Sequence, residues 1–205
     1  MTAVITREYS LPSVCVREVL RYSGCSDVTP DMEILANECI AEAEKIFCAK
    51  VCYSEFPIKI TQNGLDLGFA RVSSRDLAKN LDGSDRAIVF CATVGHEIDR
   101  LIKKYGIISP AKAVIFQGLG AERIEALCDL FCGELESSGF MTRPRFSPGY
   151  GDLPLDLQKD IFRTLDCPRR IGATLNESLL ISPTKSVSAL VGLKKQGRKD
   201  KNEHK

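Results

Sequence analysis

The sequence predicts an α+β fold, in which a mixed or antiparallel twisted sheet is flanked by helices, and not a Rossmann fold. Helical and strand patterns are mixed along the chain without the repeated strand–helix unit of a doubly wound parallel sheet. The run AIVFCATVG at 87–95 has the composition of a buried strand, and a helical pattern extends from Ser109-Pro110 to about Glu136. The 205 residues, 44% of them hydrophobic, suffice for one compact domain or two small lobes.

The elements of the N-terminal half are predicted from helix signals and alternation. A short apolar helix ends at Gly24, and Thr29-Pro30 provides an N-cap and a first helical proline for a second helix. Alternating apolar residues at 65–69 predict a strand with one buried face. The predicted elements of this half are helices at 14–22, 30–49 and 74–83, and strands at 51–60, 65–69 and 87–95.

The C-terminal half begins with two helices, one ending at Gly106 and one beginning at Ser109-Pro110. Residues 143–154, RPRFSPGYGDLP, contain too many prolines and glycines for regular structure. A helix is predicted at 155–165, followed by strands at 178–182 and 186–192 on either side of Pro183.

Charge divides the chain into a predicted domain at 1–193 and a predicted disordered basic tail at 194–205. The tail has six Lys or Arg against two acidic residues, or +4, and no apolar residue to bury. The remainder has 22 basic and 25 acidic residues, or −3. A mildly acidic domain argues against nucleic-acid binding. A tail that binds an anionic partner is the alternative to simple disorder.

The nine cysteines predict free, mostly buried thiols in a cytoplasmic protein, because their number is odd and no signal peptide is evident at the N-terminus. Cys48 and Cys52, like Cys128 and Cys132, are four residues apart, whereas metal-binding pairs usually have two intervening residues and further ligands. His96 is the one histidine of the predicted domain. We therefore predict no metal site, and the absence of an 18-residue apolar stretch predicts no membrane span.

Two familiar motifs are incomplete. Gly118-Leu119-Gly120 resembles a dinucleotide-binding fingerprint, but Arg123 occupies the third glycine position. His96-Glu97 begins like a zinc-protease helix, but Arg100 replaces the second histidine. No catalytic acid–base or nucleophile pair is predicted.

The segment Arg145 to Asp152, RFSPGYGD, is the candidate binding loop. Pro148 stiffens the backbone and two glycines let it wrap closely around a ligand, to which its amides could donate. Arg145 offers a planar fork for a carboxylate, and Tyr150 a π-face for a cation such as a sulfonium. An ordinary ordered surface loop is the alternative.

This loop resembles the Arg-x-x-Pro-Gly-Tyr loop that binds S-adenosylmethionine in the activation domain of cobalamin-dependent methionine synthases. The chain is similar to the free-standing bacterial activation proteins of that family over nearly its whole length except the tail. Further matching segments are REVLRY at 17–22, ATVG at 92–95, DRLI at 99–102, IEALCD at 124–129, IG at 171–172, NES at 176–178 and PTKSV at 183–187.

The resemblance implies a set of ligand-binding residues. Arg145, Ser147, Gly149 and Tyr150 fall on the family's binding loop, and Glu125 falls on its helical acidic residue, suited to the ligand's ammonium. For Glu125 the alternative is an exposed helix carboxylate. Three further residues would lie at the periphery of the site: Asp152, Lys185 and Ser186. Lys185 departs from the small residue expected in the fused enzymes, and the aromatic-containing chain that follows in those enzymes is missing here.

The resemblance also implies the chemistry and the partners. S-adenosylmethionine would methylate cobalamin during reductive reactivation, with the cobalamin carried by a methionine synthase that lacks its own activation domain. This chain has no Asp-x-His-x-x-Gly cobalt-ligating run and no iron–sulfur spacing. A flavodoxin- or ferredoxin-like reductant would therefore supply electrons. The alternatives are a regulatory S-adenosylmethionine-binding module without methyl transfer, and a reactivation factor for another corrinoid methyltransferase.

Overall fold

The computed structural model describes residues 3–62 and 64–195. Helices and strands alternate irregularly along the chain, as the sequence predicts. The strands are β1 Ile5–Glu8, β2 Lys50–Pro57, β3 Lys59–Thr61, β4 Gly64–Asp66, β5 Arg71–Val72, β6 Arg86–Thr93, β7 Phe140–Thr142, β8 Thr174–Leu175, β9 Ile181–Ser182 and β10 Ser186–Lys195. The helices are α1 Val16–Tyr22, α2 Pro30–Ala43, α3 Arg75–Asn80, α4 Glu97–Ile108, α5 Pro110–Ser137, α6 Leu157–Leu165 and α7 Cys167–Ile171.

The main sheet has five strands in the order β1-β2-β6-β10-β7, and every pair is antiparallel. Two smaller antiparallel units, β3-β4-β5 and β8-β9, lie outside it. The α+β class with an antiparallel sheet is thus confirmed, and the chain does not form a Rossmann fold.

Two hydrophobic cores cover the two faces of the sheet. The first lies between the sheet and α5, with α1, α2 and α4 packed around that helix, and contains the fully buried Phe90, Phe116 and Phe131. The second lies between the opposite face and α3, α6 and α7. Successive residues of β10 alternate between them, since Val191 belongs to the first core and Leu190 to the second. Burial of each such large side chain contributes about 1.5–3 kcal/mol.

The long helix α5 has buried positions on more than one side because it is packed between the sheet and α1. At Gly118 a Cβ atom would lie 2.4 Å from the carbonyl oxygen of Val19, so only glycine permits this approach of α1. Gly118-Leu119-Gly120 therefore lies in mid-helix, and its glycines serve helix packing, not a strand–turn–helix phosphate loop.

The element boundaries differ from the predictions in several places. Helix α2 ends at Ala43, and not near residue 49, and α4 continues through Gly106 to Ile108. The sequence does not predict strands β1 and β7. Each is short and lies at an edge of the sheet, and because little of it is buried it has no clear hydrophobic pattern. Helix α7 and strand β8 were also not predicted.

The predicted boundary between domain and tail lies within β10. This strand runs to Lys195, two residues beyond residue 193, and pairs there with β7. The rest of the predicted tail, 196–205, lies outside the described residues. In the part of the chain that is described, no helix has both the length and the apolar composition needed to cross a membrane.

Candidate functional site

The candidate loop is fixed to the sheet beside β10. Phe146 and Leu190 exchange two backbone hydrogen bonds of 2.9 Å, and the amide of Arg143 donates to the carbonyl of Gly192. Phe146 enters the core beneath α6. Arg145 lies on the other side of the segment from Phe146 and is directed toward α5, where it contacts Glu125 and Asp129.

Arg145 meets two acidic side chains of α5. Its Nη2 atom lies 2.9 Å from Oε2 of Glu125 and 3.0 Å from Oδ1 of Asp129. Glu125 and Asp129 are one helical turn apart and share a face. The structure therefore brings together Arg145 and Glu125, the predicted partners of a ligand's carboxylate and ammonium, and adds Asp129.

One nitrogen of the Arg145 guanidinium has no hydrogen-bond acceptor among the described residues. Its Nη1 atom is buried and has no hydrogen-bond partner among the described residues. Buried guanidinium donors usually find acceptors, and an unpaired one costs free energy. This donor suits a ligand's carboxylate, which can accept both parallel hydrogen bonds of the fork.

Two thiols of α5 lie beside the guanidinium. Burial raises the pKa of Cys128 to about 12 and that of Cys132 to about 11, with Arg145 opposing both shifts. Burial by itself would lower the pKa of Arg145, but Cys128, Glu125 and Asp129 together raise it. Arg145 therefore stays charged and both thiols stay protonated at neutral pH, as packing groups and not as nucleophiles.

The tip of the loop is a compact turn. Gly149 and Gly151 have φ angles of 85° and 55°, in the left-handed region that favours glycine. The amide of Gly149 donates to Leu153, and that of Tyr150 donates to the carbonyl of Ser147. These two amides are already used within the loop, so Arg145 is the better-placed donor for a carboxylate.

Tyr150 is the exposed aromatic residue of the loop, with 70% of its surface accessible. Its ring packs edge-on against Phe146, with a centroid distance of 5.4 Å. Both rings line a shallow depression of about 580 Å³ between the loop and α3. Ser147 is half-buried at the start of the turn.

Asp152 has a structural role at α3. Its carboxylate accepts hydrogen bonds from the Ser74 hydroxyl and from the amides of Arg75 and Asp76, the first residues of that helix. The Ser74 hydroxyl, and then the Arg75 amide, lower the pKa of Asp152. Asp152 therefore anchors the loop to α3.

Lys185 and Ser186 lie at the other end of β10 from the Arg145 cluster. Lys185 is five positions before Leu190, about 16 Å along the strand at the usual rise per residue. Lys185 crosses α5 at Gly120 and donates to Gln117, and burial lowers its pKa. The Ser186 hydroxyl donates to Thr93. The structure thus does not bring these two residues to Arg145.

No protein-family model and no curated protein sequence matches the chain. Among solved structures, a crystal structure of the MetH reactivation domain bound to AdoHcy superposes with a TM-score of 0.67. The match covers 93% of this chain and 78% of that one, at 16% sequence identity. The chain has the fold of the MetH reactivation domain.

The similarity to the MetH reactivation domain confirms the resemblance stated from the sequence at the level of fold. Sequence reasoning missed Asp129, although it stands four residues after Glu125 and the i, i+4 spacing could have indicated it. Sequence reasoning also left Arg123 without a role. Arg123 is buried, pairs with Glu122 and donates to the carbonyl of Pro12, and so holds the N-terminal segment on α5.

All nine cysteines are free, and five of them are buried. Within residues 3–62 and 64–195 no group of three or more His, Cys, Asp or Glu side chains could hold a metal ion. His96 directly precedes α4 and makes no side-chain capping hydrogen bond there.

Proposed function

We propose that this chain binds S-adenosylmethionine at Arg145 and Glu125 and uses it in the reductive methylation of cobalamin carried by a partner methionine synthase. The observation that carries the proposal is the meeting of these two residues, from the loop and from α5, at 2.9 Å. A fold shared with a domain whose crystal structure holds AdoHcy supports the same ligand class.

The ligand-free ion pair is suited to exchange with an amino-acid zwitterion. The ligand's carboxylate would take the fork of Arg145, including the buried Nη1 atom, and its ammonium would take Glu125. Arg145 and Glu125 would thus each exchange one partner for another without being left unpaired in a partly buried site. Ser147, Gly149 and Tyr150 would line the remainder of the ligand.

The chemistry requires two steps. One electron from a low-potential donor reduces cob(II)alamin to cob(I)alamin. The cob(I)alamin then attacks the sulfonium methyl group, which yields methylcobalamin and S-adenosylhomocysteine. No proton is transferred, so this chain needs no acid or base and would contribute by holding the methyl group in position. A cytoplasmic flavodoxin- or ferredoxin-like protein would supply the electron.

Calorimetric titration with S-adenosylmethionine tests the binding half of this proposal. We expect one site per chain, without added metal or cobalamin, and a higher melting temperature in the presence of ligand. The absence of both binding heat and thermal stabilisation at millimolar ligand would rule the proposal out.

A further inference from the structure

The Arg145 cluster carries an excess of negative charge. The guanidinium contributes one positive charge, whereas Glu125 and Asp129 contribute two negative charges, so the formal sum is −1. The two carboxylates share a single atom of Arg145, Nη2. Arg145 thus has to compensate two acids, while its Nη1 donor remains unused.

Nearby charged groups do not correct this excess. Arg7 pairs with Glu134 further along α5. Arg143 donates to the carbonyl of Asp82, and it packs against Gly192 on the face of the sheet opposite to Arg145. Among the described residues, Arg145 is the one cation paired with either Glu125 or Asp129.

The proposed ligand and its product differ in charge at the sulfur atom. S-adenosylmethionine carries a carboxylate, an ammonium and a sulfonium, for a net charge of +1. S-adenosylhomocysteine has a neutral thioether and a net charge of 0. The carboxylate and ammonium are common to both, so Arg145 and Glu125 cannot distinguish them. An additional negative charge beside the site would favour the sulfonium electrostatically.

We infer that Asp129 is a specificity residue that favours the sulfonium donor over the thioether product. This inference rests on the proposed function. Once a ligand carboxylate occupies Arg145, Asp129 loses the cation that it contacts in the free protein. Its side chain is 73% exposed beside the site, so it can compensate the second positive charge of the donor. The attraction ends when the methyl group leaves, which favours release of the product.

The effect is modest because Asp129 is exposed and water screens its charge. Exposed charge pairs change a binding constant by about two- to fivefold. The measured quantity is the ratio of the dissociation constants of S-adenosylhomocysteine and S-adenosylmethionine. We expect Asp129→Asn, which keeps the shape of the side chain, to lower this ratio by about two- to fivefold, mainly by weakening the donor.

Glu8→Gln is a matched control. Glu8 is 75% exposed and paired with Lys50, but it lies on β1, at the opposite edge of the sheet from β7. This variant should keep the wild-type ratio. Raising the ionic strength of the wild-type titration from 0.05 to about 0.5 M provides a test without mutation, because screening should move the ratio in the same direction as Asp129→Asn.

The outcomes separate the two proposals. Suppose that the wild-type chain binds the donor, but neither Asp129→Asn nor salt changes the ratio of the two dissociation constants. That result would overturn the role of Asp129 and leave the proposed function standing. A wild-type chain that binds neither compound would overturn both. A ratio that falls in Asp129→Asn and in salt, but not in Glu8→Gln, supports the inference.

Discussion

Nη2 of Arg145 lies 2.9 Å from Oε2 of Glu125, although the two residues are 20 positions apart in the chain. One comes from an irregular loop beside β10 and the other from the middle of α5. Neither residue needs this contact to form its local structure. The contact therefore follows from the position of the loop over the helix. It pairs the charges of Arg145 and Glu125, which an amino-acid ligand would separate by binding between them.

Arg145→Ala should weaken binding of S-adenosylmethionine by roughly 1.5–3 kcal/mol, the usual contribution of a hydrogen bond to a charged group. Calorimetry measures this change. Arg163→Ala is the control, because Arg163 is 79% exposed and, among the described residues, pairs only with its helix neighbour Asp160. Equal affinities of Arg145→Ala and the wild type would show that the carboxylate is bound elsewhere.

Two glycines of α5 should show opposite changes in the free energy of unfolding when each is replaced by alanine. Gly118→Ala places a Cβ atom against the backbone of α1, so overpacking should lower the free energy of unfolding by about 1–3 kcal/mol. Apart from its chain neighbours and the nearby backbone of its own helix, a Cβ atom at Gly133 would meet no atom of the described residues within 4 Å, so Gly133→Ala should raise the free energy of unfolding by about 0.5–1 kcal/mol. Urea denaturation measures the free energy of unfolding of both variants. A Gly118→Ala variant as stable as the wild type would contradict the close approach of α1.

Asp152→Asn should lower the melting temperature at pH 7, because the charged carboxylate binds the first amides of α3. The pKa of Asp152 is lowered in the folded chain by the Ser74 hydroxyl and the Arg75 amide. Its stabilisation is thus fully present above the ordinary value of about 3.9 and is lost as the pH falls through the folded pKa.

Melting curves between pH 7 and pH 3 test this dependence. The gap in melting temperature between wild type and Asp152→Asn should begin to narrow below about pH 4 and should shrink further as the pH falls toward the folded pKa. Asp156→Asn is the control, since that carboxylate is 74% exposed and, within residues 3–62 and 64–195, pairs only with Lys159. A gap that persists unchanged at pH 3 would argue against a role for the Asp152 charge.

Truncations test the boundary of the folded domain. Deletion of 196–205 should leave the melting temperature unchanged, because that sequence has no apolar side chain to bury. Deletion of 194–205 also removes the pairing of Lys194 with Met141 in β7 and should lower the melting temperature. Equal melting temperatures for the two truncations would contradict a contribution from this pairing.

The sequence predicts the fold class and the long elements because their signals are local. Ser109-Pro110 marks the start of α5, and the apolar run at 87–95 marks β6. It does not predict β1 or β7, because edge strands depend on a partner strand that is distant in sequence. The candidate loop is predicted from its arginine, proline, glycines and tyrosine, together with its resemblance to the family's binding loop.

Other features of the site depend on tertiary contacts that composition does not show. Asp129 becomes part of the site only because Arg145 reaches across from the loop. Asp152 becomes an anchor because α3 presents its amides to the loop. The buried Arg123 had no predicted role, since its carbonyl partner Pro12 lies 111 residues away.

The visible spectrum of a partner's cobalamin tests the central proposal most directly. A cobalamin-loaded methionine synthase without its own activation domain is mixed with a low-potential reductant and S-adenosylmethionine, with or without this chain. We predict that the cob(II)alamin spectrum converts to that of methylcobalamin only when the chain is present, and much more slowly with Arg145→Ala. Equally fast conversion without the chain, or no conversion with it, would contradict the account and favour a regulatory binding module.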